Sequence, residues 1–434
     1  MEWLGEVPGH WEVKRVRFVS ELNPSKSEIS DLARDTVVSF VPMDAIGEDG
    51  LLSLDKEKPI SEVETGYTYF RNGDVTVAKI TPCYENGKGA LMQGLLNGIG
   101  FGTTELIVAR PKPDQVTGTY LHYLFISPDF RGLGESHMYG AGGQKRVPDD
   151  FVRNFATAFA SVPEQTQIAA FLERETAKID ELVAEQRRLM ALLKEKRQAV
   201  ISHAVTRGLN PHAPLKPSGI EWLGDVPEHW VQSRLKYNVR GLIDTEHKTA
   251  PFFDDGEYLV VRTTNIKDGK LLLEGGKYTN AGGFEEWTRR AIPKPGDIMF
   301  TREAPAGEAC LVPENIRLCM GQRTVLMQIE PLVLDSNFAL WSLYGGLASE
   351  FVSVLSQGST VVHFNMSDIR NIPIMLPPTQ EQVEIAEFLA QELARFDTLT
   401  TEAQRAIDLL QERRTALISA AVTGQIDGRS TVVA

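Results

Sequence analysis

The chain has 434 residues, 42% of them hydrophobic and 24% charged, with a formal net charge of −13. That length exceeds one ordinary core, and the acidity excludes a global positive field as the means of holding nucleic acid. No apolar run approaches bilayer-crossing length, and the residues after Met1 do not read as a signal peptide. Cys83, Cys310 and Cys319 are too widely spaced for a metal or redox motif and suit a reducing cytosol.

Taken in chain order, the first feature is "EWLGEVPGHWEVKRVRF" at Glu2, which returns as "EWLGDVPEHWVQSRLKY" at Glu221. An internal duplication is the first expectation. Residues 1–160 carry short apolar runs, "TVVSFVPM", "DVTVAKI" and "LIVAR", separated by Gly, Pro, Asn and Asp, which predicts strands and turns. "GIGFG" at Gly98–Gly102 reads as a turn between strands and not as a nucleotide loop.

Residues 161–208 predict a long helix, rich in strong helix formers and without internal Gly or Pro from Ala169 to Thr206. Ser161 with Glu164 reads as a capping box. Ile168, Leu172, Ile179, Leu182, Leu189, Leu193 and Val200 fall on alternating spacings of four and three, the seam of a heptad. Residues 209–220 hold three prolines and predict an extended connector. A second globular part, 221–376, has the runs "YLVVRT", "DIMFT" and "TVLMQI". A second helix follows at 377–424, with Thr379 and Gln382 as its capping box and Ile385, Leu389, Phe396, Leu399, Leu410 and Leu417 on its seam. Residues 425–434 form a tail that a closed arrangement brings near the opening motif. Each rod spans roughly 60 Å at 1.5 Å per residue. Two stripes in one register imply that the helices pair with each other, antiparallel if the globular parts lie at opposite ends. The fold class is therefore α+β: two globular α+β domains separated by two long helices pairing as an antiparallel coiled coil, with a pseudo-twofold internal repeat.

The helices match closely and the globular parts do not. Three motifs nevertheless occur twice in one order: the opening motif, a Gly-Asp strand leading to Lys or Arg and Pro ("RNGDVTVAKITP", "KPGDIMFTREAP"), and a helix start of pattern Q-x-x-I-A-x-F-L. In these the chain resembles the specificity subunits of type I restriction–modification systems, over nearly its whole length. The resemblance implies that 1–160 and 221–376 are target recognition domains, each reading one half of a split, asymmetric double-stranded DNA site, and that the helices are spacers. It further implies a methyltransferase subunit, in two copies, docked on the helices, and a nuclease/translocase subunit. S-adenosylmethionine, ATP and magnesium are then expected on those partners and no cofactor on this chain.

No catalytic or metal-binding motif is apparent. Pro377-Pro378 is followed by Thr379 where an amino-methyltransferase needs an aromatic, and Glu12–Lys14 and Glu246–Lys248 follow no nearby Pro-Asp. There is no Gly-rich phosphate loop ending in Lys-Ser/Thr. DNA contacts are expected where the domains diverge. In the first these are Lys79, Thr81, Thr103, Thr104, Gln144, Lys145 and Arg146; in the second, Thr301, Arg302, Gln322, Arg323, Ser359, Thr360 and His363. Arg and Lys suit guanine, Gln suits adenine, and hydroxyls suit phosphate. Trp3, Trp11, Trp222 and Trp230, with His10 and His229, lie in the repeated part, so packing and hydrogen bonding explain them better than base stacking or metal ligation. The alternative reading is a coiled-coil scaffold without DNA readout.

Overall fold

A computed structural model describes residues 3–48, 50–141, 143–221, 223–246, 248–356 and 363–426. Its residues divide between two units, 1–187 with 404–434 and 188–403. Each unit thus contains one globular part and a portion of both long helices, Val162–Arg207 and Thr379–Val422. None of the helices is long and apolar enough to cross a membrane among the described residues.

In the first unit the strands Ser20–Leu22, Leu106–Pro111, Val75–Ala78 and Gly89–Leu91 form one antiparallel sheet, in that order. A second sheet orders Glu57–Pro59, Val37–Val41, Ile99–Gly102 and Thr68–Arg71, with the middle pair parallel. A ribbon of Glu12–Arg15 with Ala156–Phe159 leads into the first long helix. The second unit repeats the plan. Its sheet orders Val239–Asp244, Thr324–Ile329, Ile298–Thr301 and Ala309–Leu311. Beside it, Lys277–Thr279, Tyr258–Val261 and Leu318–Met320 form a second sheet with one parallel pair, and Val231–Arg234 pairs with Pro373–Leu376. Two similar α+β units and an internal repeat are therefore visible strand by strand.

The duplicated His-Trp pairs have one shared task. Glu164, in the first turn of the first long helix, lies 2.9 Å from His10 Nε2 and accepts from Trp11 Nε1 at 3.3 Å. Glu381, in the first turn of the second helix, lies 2.7 Å from His229 Nε2 and accepts from Trp230 Nε1 at 3.1 Å. Trp230 is fully buried and Trp11 nearly so, and Trp3 packs on Phe155 with ring centroids 5.2 Å apart. Trp222 lies outside the described residues.

The next residue of each helix turns inward. Gln165 is buried, accepts from Thr117 N at 2.9 Å and donates to the carbonyls of Gln115 and Ala160 at 2.9 Å each. Gln382 accepts from Asp335 N at 2.8 Å and donates to Val333 and Pro377 carbonyls at 3.0 Å each. The capping-box expectation thus needs correcting. Glu164 corresponds to Glu381 and not to Gln382, and both kinds of residue fasten the helix start to the globular part. Each long helix ends on a glycine, Gly208 (φ +72) and Gly424 (φ +75), where no Cβ fits. A Cβ on Gly208 would strike Glu381 and Trp230; one on Gly424 would strike Pro8 and Trp11.

Within each unit the two helices pack antiparallel. In the first, Ile168 and Leu172 share a core with Ile418, Ala421 and Val422, and farther along Arg414 Nε donates to Asp180 at 2.9 Å. In the second, Ile201, Ala204 and Val205 share a core with Ile385, Ala386 and Leu389, while Arg197 donates to Asp397 at 2.7 Å. Ile168, Leu172, Ile179, Leu193, Ile385, Leu389 and Phe396 are buried, and Val200, Leu410 and Leu417 are half-buried. Leu182, Leu189 and Leu399, by contrast, are 45%, 42% and 46% exposed. In both helices one of the two interleaved lines is displaced by one residue: Val183 and not Leu182 turns inward, and Ile407 and not Ala406. The inward line includes Arg197 and Arg414, which the cross-helix aspartates satisfy, so a count of leucines selected the wrong phase.

Two further expectations change. The connector is not simply extended: Leu215–Pro217 pairs antiparallel with Asp225–Pro227. Gly98–Gly102 is not a turn, since Ile99–Gly102 is a central strand whose glycines lie against Phe70 and the Val41 carbonyl. Removing the Gln382 side chain by Gln382→Ala strands three backbone groups. The expected loss is about 2–4 kcal/mol of unfolding free energy, read by urea denaturation, with Gln380→Ala, at an exposed position, near neutral.

Candidate nucleic-acid interface

In the first unit three segments meet at the end of strand Val75–Ala78. Lys79 N donates to Glu105 O at 2.9 Å, and Val147 N donates to Lys79 O at 2.8 Å. Thr81 N donates to Lys145 O, and Lys145 N returns a bond to Thr81 Oγ1, both at 3.0 Å. The segment after the strand, the turn at 103–105 and the loop residues 139–141 and 143–147 are thereby stitched into one surface. It gathers Lys79, Thr81, Thr103, Gln144, Lys145 and Arg146, with Thr104 beside Glu105.

Their side chains are not equally placed for a partner. Arg146 makes a two-point pair with Glu105, at 2.9 and 2.7 Å, and this hydrogen bonding holds the Glu105 carboxyl below its usual range. Thr81 Oγ1 donates to Gly143 O at 2.7 Å, Thr103 Oγ1 accepts from Glu105 N at 3.2 Å, and Lys79 lies 3.6 Å from Asp149. Thr104, Gln144 and Lys145 are exposed. So is Tyr139, bridged to Arg146, which sequence reasoning missed.

The second unit builds the same junction from different side chains. Arg302 N donates to Arg323 O at 2.9 Å, and Phe364 N donates to Arg302 O at 3.0 Å. The bridge Ile80–Arg146 has its counterpart in Glu303–His363, and both junctions contain a cis proline, Pro82 and Pro305. Lys79, Glu105 and Arg146 of the first unit are therefore replaced by Arg302, Arg323 and His363. Two of the expected contacts face inward. Thr301 is buried and accepts from Glu308 N at 2.9 Å. Arg302 is buried, donates to both Asp244 oxygens at 2.8 and 2.7 Å and gives its Nε–H to Phe364 O at 3.0 Å. Strand Ile298–Thr301 is buried on both faces, which encloses Thr301, and Arg302 just beyond it is drawn in by Asp244, a partner distant in sequence, so neither placement had a local signal. Arg323 and His363 stay exposed at the rim, each 3.4 Å from Glu303, and Gln322 accepts from the Thr249 hydroxyl at 3.3 Å. Ser359 and Thr360 lie outside the described residues. Glu105 and Glu303, which orient the basic groups, carried no local signal, because their partners are distant in sequence. Among the described residues no group of three or more His, Cys, Asp or Glu is arranged to hold a metal ion.

With this geometry in view, the likeness to known proteins is informative. The family model for the type I restriction modification DNA specificity domain matches residues 240–408. Over 165 residues the chain is 46% identical to the EcoAI type I restriction enzyme specificity subunit of Escherichia coli, a stretch covering 38% of this chain and only 27% of that relative. It is 26% identical to the EcoEI specificity subunit of Escherichia coli over 96% of this chain and 83% of the relative. Two solved structures share the fold. One is a chain from work on complex assembly and conformational transition of the type I R-M system, with TM-score 0.75 and 20% identity, covering 97% of this chain and 100% of that one. The other is the HsdS subunit from Thermoanaerobacter tengcongensis, with TM-score 0.57 and 18% identity, covering 97% and 98%. The fold and its junction each occur twice in the chain. The chain is thus similar to specificity subunits of type I restriction–modification systems, in the family model over residues 240–408 and in the EcoEI subunit over 96% of its length.

The burial pattern separates two kinds of arginine and lysine. Arg302→Ala removes a buried guanidinium that bonds both Asp244 oxygens and the Phe364 carbonyl, and is expected to cost about 2–3 kcal/mol of stability, seen as a lowered thermal midpoint. Lys145→Ala is expected to leave that midpoint unchanged and to reduce the salt dependence of DNA binding by about one charge.

Proposed function

We propose that this chain supplies sequence specificity to a type I restriction–modification complex by reading a bipartite, asymmetric double-stranded DNA site. The recognition domains, residues 1–160 and 221–376, each read one half-site, and the paired helices fix the gap between them. A methyltransferase subunit, in two copies, and a nuclease/translocase subunit dock on the helices. They provide the chemistry, with S-adenosylmethionine, ATP and magnesium on their side of the complex.

The observation that carries this reading is the doubled junction. One backbone hydrogen-bond pattern, Lys79 with Glu105 and Val147, recurs as Arg302 with Arg323 and Phe364, and the exposed side chains on it differ. A frame that is the same and a rim that differs suit two half-sites of unlike sequence at a fixed separation. The net charge of −13 fits a subunit that shares its DNA grip with a partner, so binding by the lone chain should be weak and fall steeply with salt.

A genome-wide map of adenine methylation in the host, with and without the gene, tests the reading. Loss of one split motif, two short half-sites around a fixed gap, is the expected result. If methylation proceeds unchanged under conditions where the protein is made, the reading is wrong.

A further inference from the structure

The ribbon strand that follows each His-Trp pair runs into a single helical turn, Val16–Val19 in the first unit and Leu235–Tyr237 in the second. Both turns are held alike: Val16 N donates to Phe155 O and Leu235 N donates to Ile372 O, each at 2.9 Å. The turn then presents a cation and an aromatic ring outward. Phe18 is 56% exposed and Tyr237 is 71% exposed. Arg17 sits over the Phe18 ring at 5.0 Å, and Lys236 over the Tyr237 ring at 4.9 Å.

The cation is fastened to an asparagine in both units, in the second alongside Arg234, which donates to the same oxygen at 2.8 Å. Arg17 donates to Asn154 Oδ1 at 2.9 Å, and Asn154 Nδ2 donates to Asp150 O at 2.9 Å. Lys236 donates to Asn371 Oδ1 at 3.0 Å, and Asn371 Nδ2 donates to Ser367 O at 2.8 Å. Beside each asparagine lies a groove within the same unit. The first, about 520 Å³, is lined by Asn154, Ala156 and Leu133; the second, about 470 Å³, by Asn371, Pro373 and Phe351.

A lone exposed aromatic needs no explanation. Two at corresponding positions of the shared opening motif, each under a cation whose asparagine partner borders a groove, are a repeated surface. A surface repeated on one chain fits two copies of one partner, and an aromatic face beside a cation fits an apolar side chain flanked by a carboxylate. DNA fits less well, since the two halves of an asymmetric site present different bases to a feature that is the same.

We propose that Phe18 with Arg17, and Tyr237 with Lys236, are two copies of one docking socket for the methyltransferase subunit. Each receives an apolar side chain of that partner flanked by a carboxylate. The inference rests on the function proposed above and adds a contact outside the long helices. It assigns one partner copy to each recognition domain.

The test is the stoichiometry of the complex formed on co-expression with the methyltransferase subunit from the same host, read by native mass spectrometry. The variants are Phe18→Ala, Tyr237→Ala, the double variant, and the conservative Phe18→Tyr and Tyr237→Phe. At a partner concentration a few times the wild-type dissociation constant, the wild-type chain should carry two partner copies, each alanine variant mainly one, and the double variant mainly none. The lost copy should bind at least about tenfold more weakly, the conservative variants should keep both copies, and thermal midpoints should not move. If all variants keep two copies at wild-type affinity, the sockets are not docking sites although the proposed function stands. If stoichiometry holds while one half-site loses recognition, the patch is a DNA contact and the inference is overturned. If the wild-type chain takes up no methyltransferase subunit, the proposed function fails and this inference with it.

Discussion

A carboxylate held by an indole and an imidazole at the first turn of each long helix is the constraint on which the rest depends. In the first unit Glu164 takes Trp11 and His10, and the glycine that ends the other helix, Gly424, is seated against Pro8 and Trp11. In the second unit Glu381 takes Trp230 and His229, with Gly208 seated against Trp230 and Glu381. One small cluster therefore fixes the start of one helix, the end of the other and the strand that opens the globular part. A side chain larger than hydrogen at either glycine, or loss of the indole, disturbs all three. This is why the opening motif occurs twice: each unit needs its own clasp.

From that clasp outward the molecule separates what is shared from what is free to vary. The buried glutamines, Gln165 and Gln382, and the ribbons Glu12–Arg15 and Val231–Arg234 repeat with matching partners. At the far end of each sheet the backbone junction repeats but its rim does not, with Arg146 held by Glu105 in one unit and His363 beside Glu303 in the other. Placing the variable groups on a rim supported by backbone hydrogen bonds lets side chains change without disturbing the frame. That division suits the proposed reading of two unlike half-sites.

Much of this was legible in the sequence, and what was not has identifiable physical causes. Repeated motifs and long helices free of glycine, with proline only in the first turn of one, announce the repeat, because local propensity and periodicity decide them. The phase of the helix pairing was not legible, because the lines holding Leu182 and Val183 are both plausible until Arg197 and Arg414 are seen to meet aspartates on the other helix. Ile99–Gly102 looked like a turn because glycine marks turns; here it permits Phe70 and the Val41 carbonyl to approach. At the candidate interface the segments were identifiable, but the roles of individual residues were not. Arg302 and Arg146 are both basic residues near a strand end or loop, and only the fold reveals that one is buried on Asp244 while the other lies at the rim.

The central claim is that two recognition domains read independently from one repeated frame. The most direct measurement is the methylation motif produced by a chain in which residues 221–376 are replaced by a second copy of 1–160. Two identical readers on a pseudo-twofold frame should convert the asymmetric motif into a palindrome built from the first half-site, with the gap between halves retained. A folded, partner-bound chimera that still methylates the original asymmetric motif would contradict the account.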